Sequence, residues 1–119
     1  MSIFTIILAI LVIIEFGYIM YLETFATTSA KTSQVFKISP AELKQPTVQT
    51  LFKNQGVYNG LLAILILVAL LLQSTVAMEW LMLYIISVAI YGSFTSNPKI
   101  ILMQGGLPIL TLISLWLLN

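Results

Sequence analysis

From Leu61 to Leu72 the chain reads LLAILILVALLL, an apolar run with no charge and no polar side chain. Such a stretch has no face fit for water. It belongs either in a protein core or in hydrocarbon, and composition decides between them. The 119 residues are 60% hydrophobic and 8% charged, whereas soluble domains carry roughly a quarter charged residues. So little charge cannot cover a water-facing surface, and the chain reads as a single domain embedded in a lipid bilayer.

A helix needs about 20 mostly apolar residues to cross hydrocarbon. Four segments meet that length: 3–22, about 51–72, about 76–94 and about 98–118. They predict an all-α integral membrane four-helix bundle. Pro46 precedes the second span, where a missing backbone donor costs little. Gln73-Ser74-Thr75 makes a short turn between spans two and three. Ser96-Asn97-Pro98 offers an N-cap and a first-turn proline to span four. Trp80 and Trp116 fall near one interface, as in an aromatic belt.

Direction follows from the lysines. Lys31, Lys37, Lys44 and Lys53 lie in or just after the connection between spans one and two, and Lys99 lies between spans three and four. All lie on one side, which the positive-inside rule makes cytoplasmic, leaving both termini outside. Span one lacks the basic n-region of a cleaved signal peptide, and Glu15 interrupts it. The connection 24–45 is the main non-membrane segment. Within it Ser39-Pro40-Ala41-Glu42 spells a capping box with a first-turn proline. A short helix over residues 40–44 with Phe36 as its anchor is one expectation, a flexible surface loop the other.

Several chemistries lack their residues. The chain has no cysteine and no histidine, which removes disulfides, thiolate or His metal sites, iron–sulfur clusters and His-based triads. No basic stripe is present to neutralise phosphates, so nucleic acid is not an expected partner. No P-loop or dinucleotide fingerprint appears, and no cofactor is expected.

An unpartnered polar side chain in hydrocarbon costs several kcal/mol, so polar positions carry information. Counting about 1.5 Å per residue, Glu15 lies roughly 10–12 Å above the cytoplasmic end of span one. Gln55, Tyr58 and Asn59 fall about 6–12 Å from that end on span two, and Gln104 about 9 Å up span four. Ser87 and Tyr91 reach a similar level on span three. Phase agrees: Glu15 with Tyr18, Gln55 with Asn59, Tyr84 with Ser87 and Tyr91, and Gln104 with Pro108 and Thr111 each share a helix face. Such stripes normally turn away from lipid, which predicts a polar pocket in the cytoplasmic half.

Two backbone features accompany the stripes. Gly56-Val57-Tyr58-Asn59-Gly60 is a G-x-x-x-G, which permits close helix approach and is by itself a weak signal. Pro108 removes a bond to the carbonyl of residue 104, with Gly105 and Gly106 easing the bend. That kink lines a cavity or is a packing adjustment.

Glu15 has two readings. As glue it is a neutral acid bonded to Gln55, Asn59 or Tyr91. As a functional group it accepts a proton or a cation, the default for an intramembrane carboxylate. Lys53 is the one candidate counter-cation and reaches instead to the interface. Glu23 and Asn54 are secondary positions, and Glu79 reads as a surface residue.

The stretches EFGYIMYLETF, NQGVYNG and AIYGSFTSNPKIILMQGGLP resemble a family of small four-span bacterial membrane proteins, domain of unknown function 1304 (DUF1304). The resemblance covers nearly the whole chain. It implies four helices in a bacterial cell membrane and no established reaction. Glu15, Tyr18, Glu23, Phe25, Asn54, Gln55, Gly56, Tyr58, Asn59, Gly60, Tyr91, Gly92 and Gln104 match the family pattern. Where members commonly carry His this chain has Phe16, and where they often carry Trp it has Thr27, so a Glu–His acid/base pair does not carry over.

Three functions compete. The first is a membrane protein that binds or transports a small lipophilic or cationic ligand, with Glu15 as the carboxylate and Tyr18, Tyr58 and Tyr91 as aromatic faces. Its layout is similar to that of small multidrug resistance transporters. Transport would need a homodimer, because four helices rarely enclose a pathway. The second is a membrane enzyme with isomerase-like acid/base chemistry on a lipid-like substrate, using Glu15 and Glu23. Their spacing of about 12 Å along one helix is long for direct cooperation. The third is a structural subunit whose polar cluster sets helix register.

Overall fold

The computed structural model describes residues 1–119, apart from the side chain of Ile100. The described residues form helices and turns: α1 (Ile3–Met20), continuing into a π-helical turn (Tyr21–Phe25), α2 (Ala30–Phe36), α3 (Pro40–Leu43), α4 (Pro46–Leu71), α5 (Thr75–Thr95), α6 (Ile100–Met103) and α7 (Gly106–Leu118). Three helical stretches are long and apolar enough to cross a membrane, Ile3–Phe25, Pro46–Leu71 and Thr75–Thr95.

Serine hydroxyls start four of the helices. Ser2 Oγ accepts from Thr5 N at 3.2 Å, Ser29 Oγ from Thr32 N at 3.2 Å, Ser39 Oγ from Glu42 N at 3.2 Å and Ser74 Oγ from Ala77 N at 3.2 Å. Each satisfies a first-turn donor that has no intrahelical acceptor. Two helices end on left-handed residues that are not glycine, Lys37 (φ 56°) after α2 and Gln73 (φ 52°) after α4. In both, the next amide reaches five residues back: Ile38 N to Ser33 O at 3.2 Å and Ser74 N to Ala69 O at 3.0 Å. These are Schellman-type closures.

The chain divides into two compact units. One comprises Ile14–Ile64. Here the connection 24–45 is structured: α2 and α3 occupy much of it, and α4 starts at Pro46, ahead of the span boundary near Leu51 that hydropathy suggests. Phe36 meets Phe52 edge-on, ring centroids 5.5 Å apart at 82°, and Leu43 is fully buried. Gly56 and Gly60 of α4 face the first helix. A Cβ on Gly56 would collide with Thr24 Oγ1 and stand 3.0 Å from both Thr24 N and Glu23 Cβ; one on Gly60 would collide with the Met20 thioether.

The other unit comprises Met1–Ile13 and Leu65–Asn119. Met78, Met82, Ile85 and Ala89 form the buried stripe of α5, which packs against α6 and α7. The last apolar segment is interrupted: α6 stops at Met103, Gln104 and Gly105 turn, and α7 resumes for 13 residues. Pro108 explains the site of the break, since it has no N–H for the carbonyl of Gln104. Gly105 fits there because a Cβ would stand 2.5 Å from Ile101 O and 3.4 Å from Ala89 Cβ.

This unit also holds a hydroxyl network that hydropathy does not reveal. Thr5 Oγ1 and Ser114 Oγ lie 2.7 Å apart and buried, Asn119 Nδ2 donates to Thr5 Oγ1 at 3.1 Å, and Ser114 Oγ donates to Thr111 O at 2.8 Å. Thr5 and Ser114 lie 109 residues apart, and their bond joins the first turns of α1 to the later part of α7.

Two predictions follow from this packing. Gly56→Ala should lower stability in detergent by about 1–3 kcal/mol, because backbone as well as side chain must yield. Gly17→Ala, with nothing within 4 Å of its Cβ, should be neutral or stabilising through helix propensity; thermal unfolding of the pair measures both. Ser114→Ala should destabilise by about 1–3 kcal/mol by orphaning a Thr5 bond, and adding Thr5→Val should recover part of that loss. The same melts, run as a double-mutant cycle, read the coupling.

Candidate functional site

The π-helical turn Tyr21–Phe25 interrupts the first helix where it approaches α4. Ala26 N donates to Tyr21 O at 2.9 Å, the wide i→i−5 bond of a π turn. A π turn disturbs the regular carbonyl ladder; two threonines reach carbonyls around it, and a third, within the turn, reaches a carbonyl of α4. Thr27 Oγ1 donates to Glu23 O at 2.7 Å, Thr32 Oγ1 to Leu22 O at 3.0 Å and Ala26 O at 2.6 Å, and Thr24 Oγ1 to Lys53 O at 3.1 Å. Thr27 and Thr32 are buried. The signal for this trio was present as the hydroxyl-rich TFATTSAKTS that follows the first span.

The turn sets the side chain of Glu23 against α4, where it is 0% exposed. Gln55 Nε2 donates to its Oε2 at 2.7 Å and Asn59 Nδ2 to its Oε1 at 2.6 Å. Each carboxylate oxygen thus takes one amide. The local sequence explains the fit. Gln55-Gly56 and Asn59-Gly60 are two amide–glycine pairs one helical turn apart. The glycines let the backbones close, and the neighbouring amides then reach the acid.

The amides expected at Glu15 therefore serve Glu23. The reason lies in the helix start. With α4 beginning at Pro46, Gln55 and Asn59 sit deeper along their helix and oppose the end of the first helix. Glu15, eight residues earlier and about 12 Å away along the axis, is half-buried. Tyr18 and Tyr58 are exposed, as are Asn54 and Gln55, and Asn59 is half-buried.

In the other unit, Ser87 is exposed and donates to Leu83 O at 2.7 Å. Tyr84 and Tyr91 are exposed as well. This stripe of α5 turns outward because the Met78–Met82–Ile85–Ala89 stripe takes the inward face. Gln104 is half-buried in the turn before α7, while Pro108 and Thr111 on its face are buried.

Chemically, the unit Ile14–Ile64 presents one carboxylate held by two neutral donors. A carboxylate has about four acceptor positions, and the two amides use two of them. No group of three or more His, Cys, Asp or Glu stands together among the described residues, so the site is not a multi-carboxylate metal centre.

The chain is similar to the "Uncharacterized protein YpaA" of Lactococcus lactis subsp. lactis (strain IL1403), 58% identical over 116 residues that cover 96% of this chain and 98% of that relative. No solved structure matches it. The sequence profile of DUF1304, described as "Protein of unknown function (DUF1304)", matches residues 10–116, and the chain belongs to that family.

Proposed function

We propose that this chain is a four-span protein of the bacterial cell membrane, with both termini outside, that binds a small lipophilic cation in exchange for a proton at Glu23. The carrying observation is the pair of neutral amides on a fully buried carboxylate. An isolated buried carboxylate charge is very costly in a low-dielectric medium. Gln55 and Asn59 orient the acid without supplying a positive charge, so its occupant must be a proton or a cation. Tyr58, between the two amides in sequence, and Tyr18 are exposed and offer rings to an apolar cation.

The fourth span in this reading is the broken segment α6–α7. From Ile100 to Leu118 it has the length of about 19 residues needed for a slightly short crossing. Its break follows the rule that irregular backbone in a membrane is tolerated where protein buries it, and Gly105 is buried. The five lysines on one side give the orientation.

Carbodiimide labelling of native membranes tests the site without altering it, because the reagent attacks protonated carboxyls in apolar surroundings. Peptide mass spectrometry should find the adduct on Glu23, reduced when tetraphenylphosphonium is present. In weakly buffered detergent, adding that cation should release about one proton per wild-type chain, as expected for a one-carboxylate exchange. Glu15→Gln should keep the release and Glu23→Gln should abolish it. An adduct on Glu15, or release lost only in Glu15→Gln, moves the site to Glu15. Labelling indifferent to the cation leaves Glu23 as a structural clasp.

A further inference from the structure

The helix α5 carries two stripes with the same spacing. Met78, Met82, Ile85 and Ala89 are buried against the chain's own helices. Two residues on, about 200° around the axis, stand Trp80, Tyr84, Ser87, Tyr91 and Phe94. Their 4-3-4-3 spacing is that of a helix-packing seam, yet Trp80 is 69%, Tyr84 59%, Tyr91 71% and Phe94 86% exposed.

We infer that this aromatic stripe is the interface of a parallel two-fold homodimer, each α5 packing against its counterpart. Three observations favour a second copy over lipid. First, although Tyr18 and Tyr58 are exposed, the outward side chains at residues 7–14 of α1 and 61–71 of α4 are aliphatic, such as Ile7, Ile10 and Leu11 or Ile64, Leu65 and Val68. Hydrocarbon requires no more than that. Second, Tyr84 stands nine residues inside a 21-residue helix, about 13 Å from its start. Its phenol facing acyl chains would have nothing to bond. An identical chain inserted in the same direction brings its own phenol and Ser87 to the same depth. Common direction follows from the one-sided lysines, which oppose dual insertion.

Third, the area is adequate. At about 150–250 Å² per aromatic side chain, the four rings offer on the order of 600 Å² per copy. Val88 and Ile90 flank them, exposed by 51% and 45%, which brings the patch near the about 800 Å² per partner of a stable interface. Ser87, the small residue at the centre of the stripe, lets the two helices approach, as small residues do in membrane helix pairs.

The chain has no cysteine, so one introduced thiol reports one position. Ser87→Cys keeps the side-chain size and should form a disulfide-linked dimer under a mild oxidant in native membranes. Leu110→Cys, equally outward on α7 at 52% exposure, should remain monomeric. Adding Tyr84→Ala to Ser87→Cys should cut cross-linking by about tenfold, the loss expected from removing an interface anchor. Absence of dimer in membrane-inserted Ser87→Cys, or equal dimer from Leu110→Cys, would show that the stripe faces lipid and overturn the inference.

Discussion

A carboxylate closed between two carboxamides is the interaction on which the unit Ile14–Ile64 depends. Apolar contact does not favour one helix pairing over another when the surroundings are themselves hydrocarbon, because lipid tails are as apolar as leucine. Polar contacts and close backbone approach discriminate instead. Glu23 with Gln55 and Asn59 fixes both the register and the rotation of α4 against the end of the first helix. Sliding α4 by one residue would point its amides about 100° away and drive a side chain into Thr24 or Met20. Acid, amides and glycines therefore form one device: the glycines allow the distance, and the hydrogen bonds choose it.

The same pairing of polar groups recurs in the rest of the molecule. Where a backbone carbonyl is disturbed, this chain brings a hydroxyl. Thr27 and Thr32 answer carbonyls around the π turn, Ser29 and Ser39 start the helices beyond it, and Thr5 and Ser114 answer each other in the second unit. The π turn is tolerated because its partners lie in the next few residues. That proximity links a local irregularity of backbone to the exact placement of the one acid it presents.

Much of this was legible in the residues. Ser39 before Pro40 and Glu42 pointed to α3 as one of two expectations, Phe36 packs on Phe52 from the end of α2 rather than from α3, and the Gly56/Gly60 spacing marked a close approach. Pro108 with its glycines marked the break in the last apolar segment. The choice between Glu15 and Glu23 was not legible. Hydropathy locates where a helix becomes apolar, not where it begins, and Pro46-Thr47-Val48-Gln49-Thr50 is helical although polar. That shift is about 7 Å along the axis, and the continuation of the first helix from Leu22 to Phe25 adds about 4.5 Å; together they bring the amides opposite a different acid. Nor does any pattern of residue types announce a π turn.

Rotation of α5 was illegible for a different reason, and it bears on how membrane helices are read. Tyr84, Ser87 and Tyr91 share a face, and shared polarity suggests a face turned from lipid. The structure leaves that face exposed, and shared polarity alone does not say what lies across it. Two stripes on α5 have equal spacing; volume and flexibility separate them. Methionine and alanine conform to the irregular surface of α6 and α7, whereas rigid rings would suit the symmetric seam proposed above. Polarity thus marks a face that gains from shelter, and the homodimer proposed for α5 is one way to supply it from a second chain.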